Sequence, residues 1–210
     1  DRTPGATLGA GNGSHQNDCE RHGTAVAGMT AAAINNAIGV VGVAPSSPVI
    51  ACKIATIAPP PNCSGAFSAF QWSWVVNALN YARVNGARST NMSFGGGGSS
   101  QAFEAAIAST RQLKVAHFAS SGNGGTPSIS YPGSAPNVNA VGSLNRDGNR
   151  STFSQYGTGL DFTAPGEQVL TTDRMGAAGY EAGNVAIVDG TSFASPMAAG
   201  VAALFFASNP

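Results

Sequence analysis

The run Asp189-Gly190-Thr191-Ser192-Phe193-Ala194-Ser195-Pro196 continues into Met197-Ala198-Ala199-Gly200-Val201-Ala202-Ala203-Leu204-Phe205. A small, hydroxyl-rich turn opens directly into a long apolar helix. Ser192 therefore stands at a helix N-terminus, where unpaired backbone N–H groups and the positive end of the helix dipole favour negative charge. A serine there serves as an N-cap. It also serves as a nucleophile whose own amide helps hold an oxyanion. The residues around it have to decide between the two.

Working outward, apolar runs suited to strands alternate with helical patterns. Strand candidates are Val40–Val43, Val49–Ile54, Thr90–Phe94, Val115–Ala119, Val138–Val141, Asp161–Thr163 and Val185–Val188. Helical stretches are His22–Ile34, Trp72–Asn85 (which stops at Gly86), Gln101–Leu113 and the run after Ser192. Proline and glycine assign Ala58–Gly65 to a loop. This alternation predicts a three-layer α/β fold, with a mostly parallel central sheet and helices on both faces. Sites in such sheets gather in loops beyond the carboxyl ends of the strands. Two glycine-rich loops, Gly95–Gly98 and Ser121–Gly125, lie where strands end.

The bulk numbers fit one domain. The chain has 210 residues, 42% of them apolar, only 10% charged and with a formal net charge of zero. That supports a sizeable core and argues against disorder. No basic patch points to nucleic acid, and apolar runs such as Ala202–Ala207 are too short for a membrane span. Both ends look like cuts from a longer chain. Three cysteines, Cys19, Cys52 and Cys63, allow one disulfide and one free thiol in three pairings. Cys52 reads as a strand thiol. Cys19 and Cys63 sit in polar loops and are the pair we expect, which implies an oxidising compartment and a secreted or extracytoplasmic location.

Two further pieces carry chemistry. His22-Gly23-Thr24-Ala25-Val26-Ala27-Gly28 puts a histidine at the start of a buried helix. By itself that is more often a capping or core residue than a rigidly held base. Asn123 in Ser121-Gly122-Asn123-Gly124-Gly125 suits a left-handed turn, or else an amide donor aimed at an oxyanion. His117, in a strand, reads as a packed histidine, and Trp72 and Trp74 as core.

Taken in order, these segments resemble the subtilisin-like serine peptidases. The resemblance also runs through Asn36–Pro45, Asn91-Met92-Ser93-Phe94-Gly95, Tyr131-Pro132-Gly133, Asn139-Ala140-Val141-Gly142, Phe153-Ser154 and Ala164-Pro165-Gly166. It covers about residues 18–208. It implies a single, truncated catalytic domain over residues 1–210, with Ser192 as nucleophile, His22 as general base, and Asn123 with the Ser192 amide as the oxyanion hole. Ser93, Phe94 and Gly95 resemble the edge that pairs with an extended substrate. Ser120, Ser121 and Gly122 resemble the wall of the pocket before the scissile bond, and Ser130 its base. Serine at that base suggests apolar or aromatic substrate side chains. The Cys19–Cys63 pair resembles a disulfide of the proteinase K and aqualysin branch.

The resemblance also shows what is missing. The triad carboxylate of this family ends an apolar strand farther upstream in an Asp-Thr-Gly-like motif, whereas only 21 residues precede His22 and none forms such a strand. The expectation is a fold without its first strands and a fragment that is nearly inert. Asn36 resembles part of a calcium site whose carboxylate would be absent. No metal is expected here and no cofactor for catalysis, with structural calcium reserved for a full-length parent. Expected partners are protein or peptide substrates and a propeptide in the parent, with a monomeric state and neither nucleic acid nor membrane. The competing reading is a pseudoprotease that keeps the fold for interaction.

Overall fold

The computed structural model describes residues 20–57, 67–96 and 98–209. The elements follow in the order α1 (His22–Ala31), β1 (Ala55–Ile57), β2 (Phe67–Phe70), α2 (Trp72–Val84), β3 (Ser89–Met92), α3 (Gln101–Gln112), β4 (Ala116–Ser120), β5 (Asn139–Leu144), β6 (Phe162–Pro165), β7 (Val169–Thr172), β8 (Val185–Val188) and α4 (Thr191–Ser208). Strands β3-β4-β5-β6 form a parallel sheet in sequence order. β1 with β2, and β7 with β8, make separate antiparallel pairs.

Three layers result. On one face, Val75 and Leu79 of α2 and Phe103 and Ile107 of α3 pack with Met92 and Ala119 of the sheet. On the other, Ala194 and Ala199 of α4 lie against Phe118 and Val141. Near-continuous burial of β4 and β5 is what a parallel sheet covered on both faces requires. α4 is long and apolar enough to cross a membrane by length and composition. Its first half, Thr191 to Gly200, is largely buried, so it reads as the central core helix. Its far end exposes Val201, Leu204 and Phe205.

Small residues in α1 have a specific use. The hydroxyl of Thr171 donates to the Ala25 carbonyl (2.7 Å), and that of Thr172 to the Thr24 carbonyl (2.9 Å). A Cβ on Gly28 would collide with both threonine side chains. The helix that carries His22 is thus clamped to β7 by close approach.

Two strand expectations fail. Val40–Val43 and Val49–Ile54 have no strand pairing; regular structure there begins only with β1. In the first run the Gly42 and Val43 amides go instead to the Ala32 and Met29 carbonyls at the end of α1; in the second no partner edge lies alongside among the described residues. A cavity of about 1100 Å³ separates residues 49–55 from the free edge of β3, and an extended run becomes a strand only when its amides and carbonyls are paired. The first helix ends at Ala31 rather than Ile34. Strands β2 and β7 had no clear sequence signal.

His117 is fully buried in β4. The Thr110 hydroxyl donates to the Ala106 carbonyl (2.8 Å), so it accepts from His117 Nε2–H (2.9 Å). His117 Nδ1 then accepts from the Thr90 hydroxyl (2.8 Å). One donor and one acceptor satisfy a neutral imidazole completely. Burial, aided by the Arg111 charge, lowers its pKa from 6.5 to about 4. An unfolded chain takes up this proton near pH 6.5, the folded chain only near 4. Stability is therefore full above pH 6.5 and declines as the pH falls toward 4, by on the order of 3 kcal/mol. Urea unfolding midpoints measured between pH 7 and 4.5 should show this slope, and His117→Asn should flatten it.

Candidate active site

The last helix begins where Gly190, at φ 149°, turns the chain out of β8. Only glycine takes that backbone angle readily. Gly190 is the N-cap residue and no side chain caps the helix, so the capping reading of Ser192 fails. Ser192 is the second helical residue. Its N–H has no hydrogen-bond partner among the described residues and points the way orphan helix-terminal amides do.

Asn123 completes the local geometry. Its Oδ1 accepts from the Thr191 N–H (2.9 Å) and the Thr191 hydroxyl (2.8 Å). Thr191 Oγ1 in turn accepts from the Gly122 N–H (3.2 Å). With its oxygen committed, Asn123 can turn only its amide nitrogen outward, and that nitrogen lies beside Gly190. Asn123 is exposed, and its amide nitrogen, like the Ser192 N–H, lies at the mouth of α4.

The third expected member is close by. The His22 ring packs on Phe193, the residue after Ser192, with centroids 5.6 Å apart. Phe193 itself is 3% exposed, in a cluster with Ala25, Met29, Ala186 and Val188. This burial lowers the His22 pKa below 6.5. The Ser192 hydroxyl donates to the Ser93 carbonyl (3.4 Å), and no hydrogen bond joins it to His22. Glu20, two residues before His22, is ion-paired with Lys53. Arg21 donates to the Gly179 carbonyl (2.8 Å) and lies over the Tyr180 ring (4.6 Å). That strap holds the loop between β7 and β8 against the start of α1.

Of the expected substrate residues, Ser93, Phe94 and Gly95 follow β3 directly, and the next amide, Gly96 N–H, bonds the Tyr131 carbonyl (3.0 Å). Across from them, Ser120 and Ser121 are buried and Ser121 donates to the Gln155 carbonyl (3.2 Å). Those two contribute backbone, not open side chains. Gly122 faces Ser130. The motifs overlooked Gln155, which stands between Gly122 and Ser130. Its only sequence signal was its place just after Phe153-Ser154. The motifs contained Phe193 and Thr191 but gave neither a role.

Cys52 is a free, half-buried thiol whose pKa burial raises. Cys19 and Cys63 lie outside the described residues, as do Asp1, His15 and Asp18. Around Asn36, the loop from Ala33 to Val41 and Leu170 offers no carboxylate, and Asn36 Oδ1 accepts from the Ile38 N–H (3.1 Å). A hard cation needs six or more oxygens, carboxylates among them, so these residues do not fit a calcium site on their own. Among the described residues no cluster of three or more His, Cys, Asp or Glu is found.

Comparison with known proteins shows the family. The model of the Subtilase family matches residues 6–210. The chain belongs to the subtilase family. It is 42% identical to M-protease of Shouchella clausii (strain KSM-K16) over 206 residues, which is 98% of this chain and 50% of that protein. Subtilisin Savinase of Lederbergia lenta is 41% identical, with 98% and 70% covered. Among solved structures, a protease from Pseudoalteromonas arctica PAMC 21717 superposes with a TM-score of 0.78 at 31% identity, covering 89% of this chain and 58% of that one. The chain thus spans about half the length of M-protease.

The packing on His22 makes a measurable statement. By proton NMR of this chain, the His22 imidazole should titrate below pH 6.5. Phe193→Ala should raise its pKa toward 6.5, because water then reaches the ring.

Proposed function

We propose that the intact protein is a serine endopeptidase that cleaves protein or peptide substrates through an acyl-enzyme on Ser192. The observation that carries this is the fixed orientation of Asn123. A turn-forming asparagine has no need to spend its oxygen on Thr191, but an oxyanion donor must present nitrogen and not oxygen. Two preorganised N–H groups beside a helix-borne hydroxyl are what a tetrahedral intermediate requires.

In the proposed reaction the Ser192 hydroxyl swings from the Ser93 carbonyl toward His22, which takes its proton as Oγ attacks the scissile carbonyl. Charge develops on the carbonyl oxygen between the Ser192 N–H and the Asn123 amide. His22 then gives the proton to the departing amine, and water releases the acyl group by the reverse sequence. A neutral His22 is the form that can accept the proton, and its burial favours that form. The substrate backbone would extend along Ser93–Gly95. This chemistry calls on no cofactor.

A triad carboxylate is proposed to reach His22 on an extended segment. The cavity supports this. It is bounded by His22 and Gly23, by residues 49–54, which form no strand, and by the edge of β3 from Ser89 to Met92, which pairs with no strand among the described residues. Among the described residues neither flanking backbone has a strand partner there, and a strand laid between them would end near His22. Glu20 is committed to Lys53 instead. Without that segment residues 1–210 should be nearly inert. We further propose secretion, a propeptide, a monomeric state with neither nucleic acid nor membrane as partner, a Cys19–Cys63 disulfide of the proteinase K type, and calcium only where additional ligands are present.

Two experiments test the reading. A fluorophosphonate probe should label the intact protein at Ser192, and Ser192→Ala should abolish labelling. Absence of both labelling and casein cleavage would support the non-catalytic interaction domain instead. Asn123→Ala should lower kcat by about 10²–10³ with little change in KM, read from steady-state kinetics on a peptide substrate.

A further inference from the structure

We propose that Gln155 is a specificity-determining residue that restricts the substrate side chain on the acyl side of the scissile bond to short ones, of the alanine and serine class. The inference rests on the peptidase reading and adds the substrate class.

Two walls lead away from Ser192 and Asn123: the segment Ser93–Gly95 and the segment Ser121–Gly122. Both end in glycine, so the slot between them is lined by bare backbone. Ser130 spans its floor, since it lies against both Gly95 and Gly122. An open slot of this kind would take a flat aromatic ring, the preference that serine at position 130 suggests by itself. Gln155 changes that. Its carboxamide lies against the bare face of Gly122, where any Cβ built on that glycine would collide with it. It therefore occupies the depth that a long substrate side chain would need.

The carboxamide is held at both ends. Gln155 Oε1 accepts from the Ser130 hydroxyl (2.5 Å), and Nε2 donates to Thr126 Oγ1 (2.9 Å). Its backbone N–H also donates to the Gly122 carbonyl (3.0 Å), which fixes the position from which the side chain departs. A large side chain can enter only by displacing the carboxamide from its part-buried bond to Ser130 and its exposed bond to Thr126, and loss of the part-buried bond carries the larger penalty. A methyl or hydroxymethyl group needs no such displacement.

The test uses tetrapeptide anilides with alanine, leucine or phenylalanine before the scissile bond, hydrolysed by the intact protein. The wild type should prefer alanine over phenylalanine by about tenfold or more in kcat/KM. Gln155→Ala should raise the phenylalanine-to-alanine ratio by about tenfold. Ser130→Ala, which frees one end of the carboxamide, should raise it by less. A general loss of structure lowers all substrates together and leaves the ratio alone, so the ratio is the readout. A wild type that prefers phenylalanine, or a Gln155→Ala ratio unchanged with normal fluorophosphonate labelling, overturns the role of Gln155. Failure of the wild type to label and to cleave any anilide overturns the peptidase reading, and this inference with it.

Discussion

The hydrogen bond from the Ser93 hydroxyl to the Ser192 carbonyl, 2.6 Å long, is the contact on which the site depends. It exists because of Pro196. A helix normally uses the carbonyl of residue 192 to receive the N–H of residue 196, and proline has none. The freed acceptor is taken by Ser93, at the end of β3. Asn91 Nδ2 donates to Ser93 Oγ (2.9 Å), and Ser195 donates to Asn91 Oδ1 (2.6 Å). A residue that would ordinarily damage a helix instead docks its first turn onto the sheet. Asn123 then anchors the same turn from the next strand, through Thr191.

Buried polar groups elsewhere follow the same accounting. The Thr171 and Thr172 hydroxyls tie β7 to α1, and Thr30 donates to the Pro196 carbonyl (3.0 Å). Ser89 donates to the Ala199 carbonyl (3.0 Å). Helices α1 and α4, which carry His22 and Ser192, are thereby fixed relative to each other and to the sheet by directional bonds. Apolar contact between alanines and glycines alone would tolerate sliding. The fold places its precision in hydroxyl groups and its bulk in the opposite layer, where Trp72, Phe103 and Tyr131 pack in tilted and edge-to-face contacts.

How much could be read in advance varied with the reach of the interaction. Helices α2, α3 and α4 and strands β3 to β5 were legible because their apolar spacing is local. His22, Asn123 and Ser192 were legible because their neighbours in sequence build the turns that hold them. Val49–Ile54 was not, since a strand is a property of two segments and its neighbour's edge is open. Gln155 was not, because its role comes from Gly122 and Ser130, more than twenty residues distant. Ser120 and Ser121 are buried, and periodicity could not show that their side chains turn inward.

Phe193 has a chemical consequence besides packing. Side chains in contact with a general base share whatever reagents reach it, and a thioether there is open to conversion into a polar sulfoxide. The group touching His22 is an aromatic hydrocarbon with no oxidisable atom. The sulfurs in the same cluster belong to Met29, which is buried, and Met197, which is half-buried. The imidazole thus packs against an apolar surface that peroxide leaves unchanged.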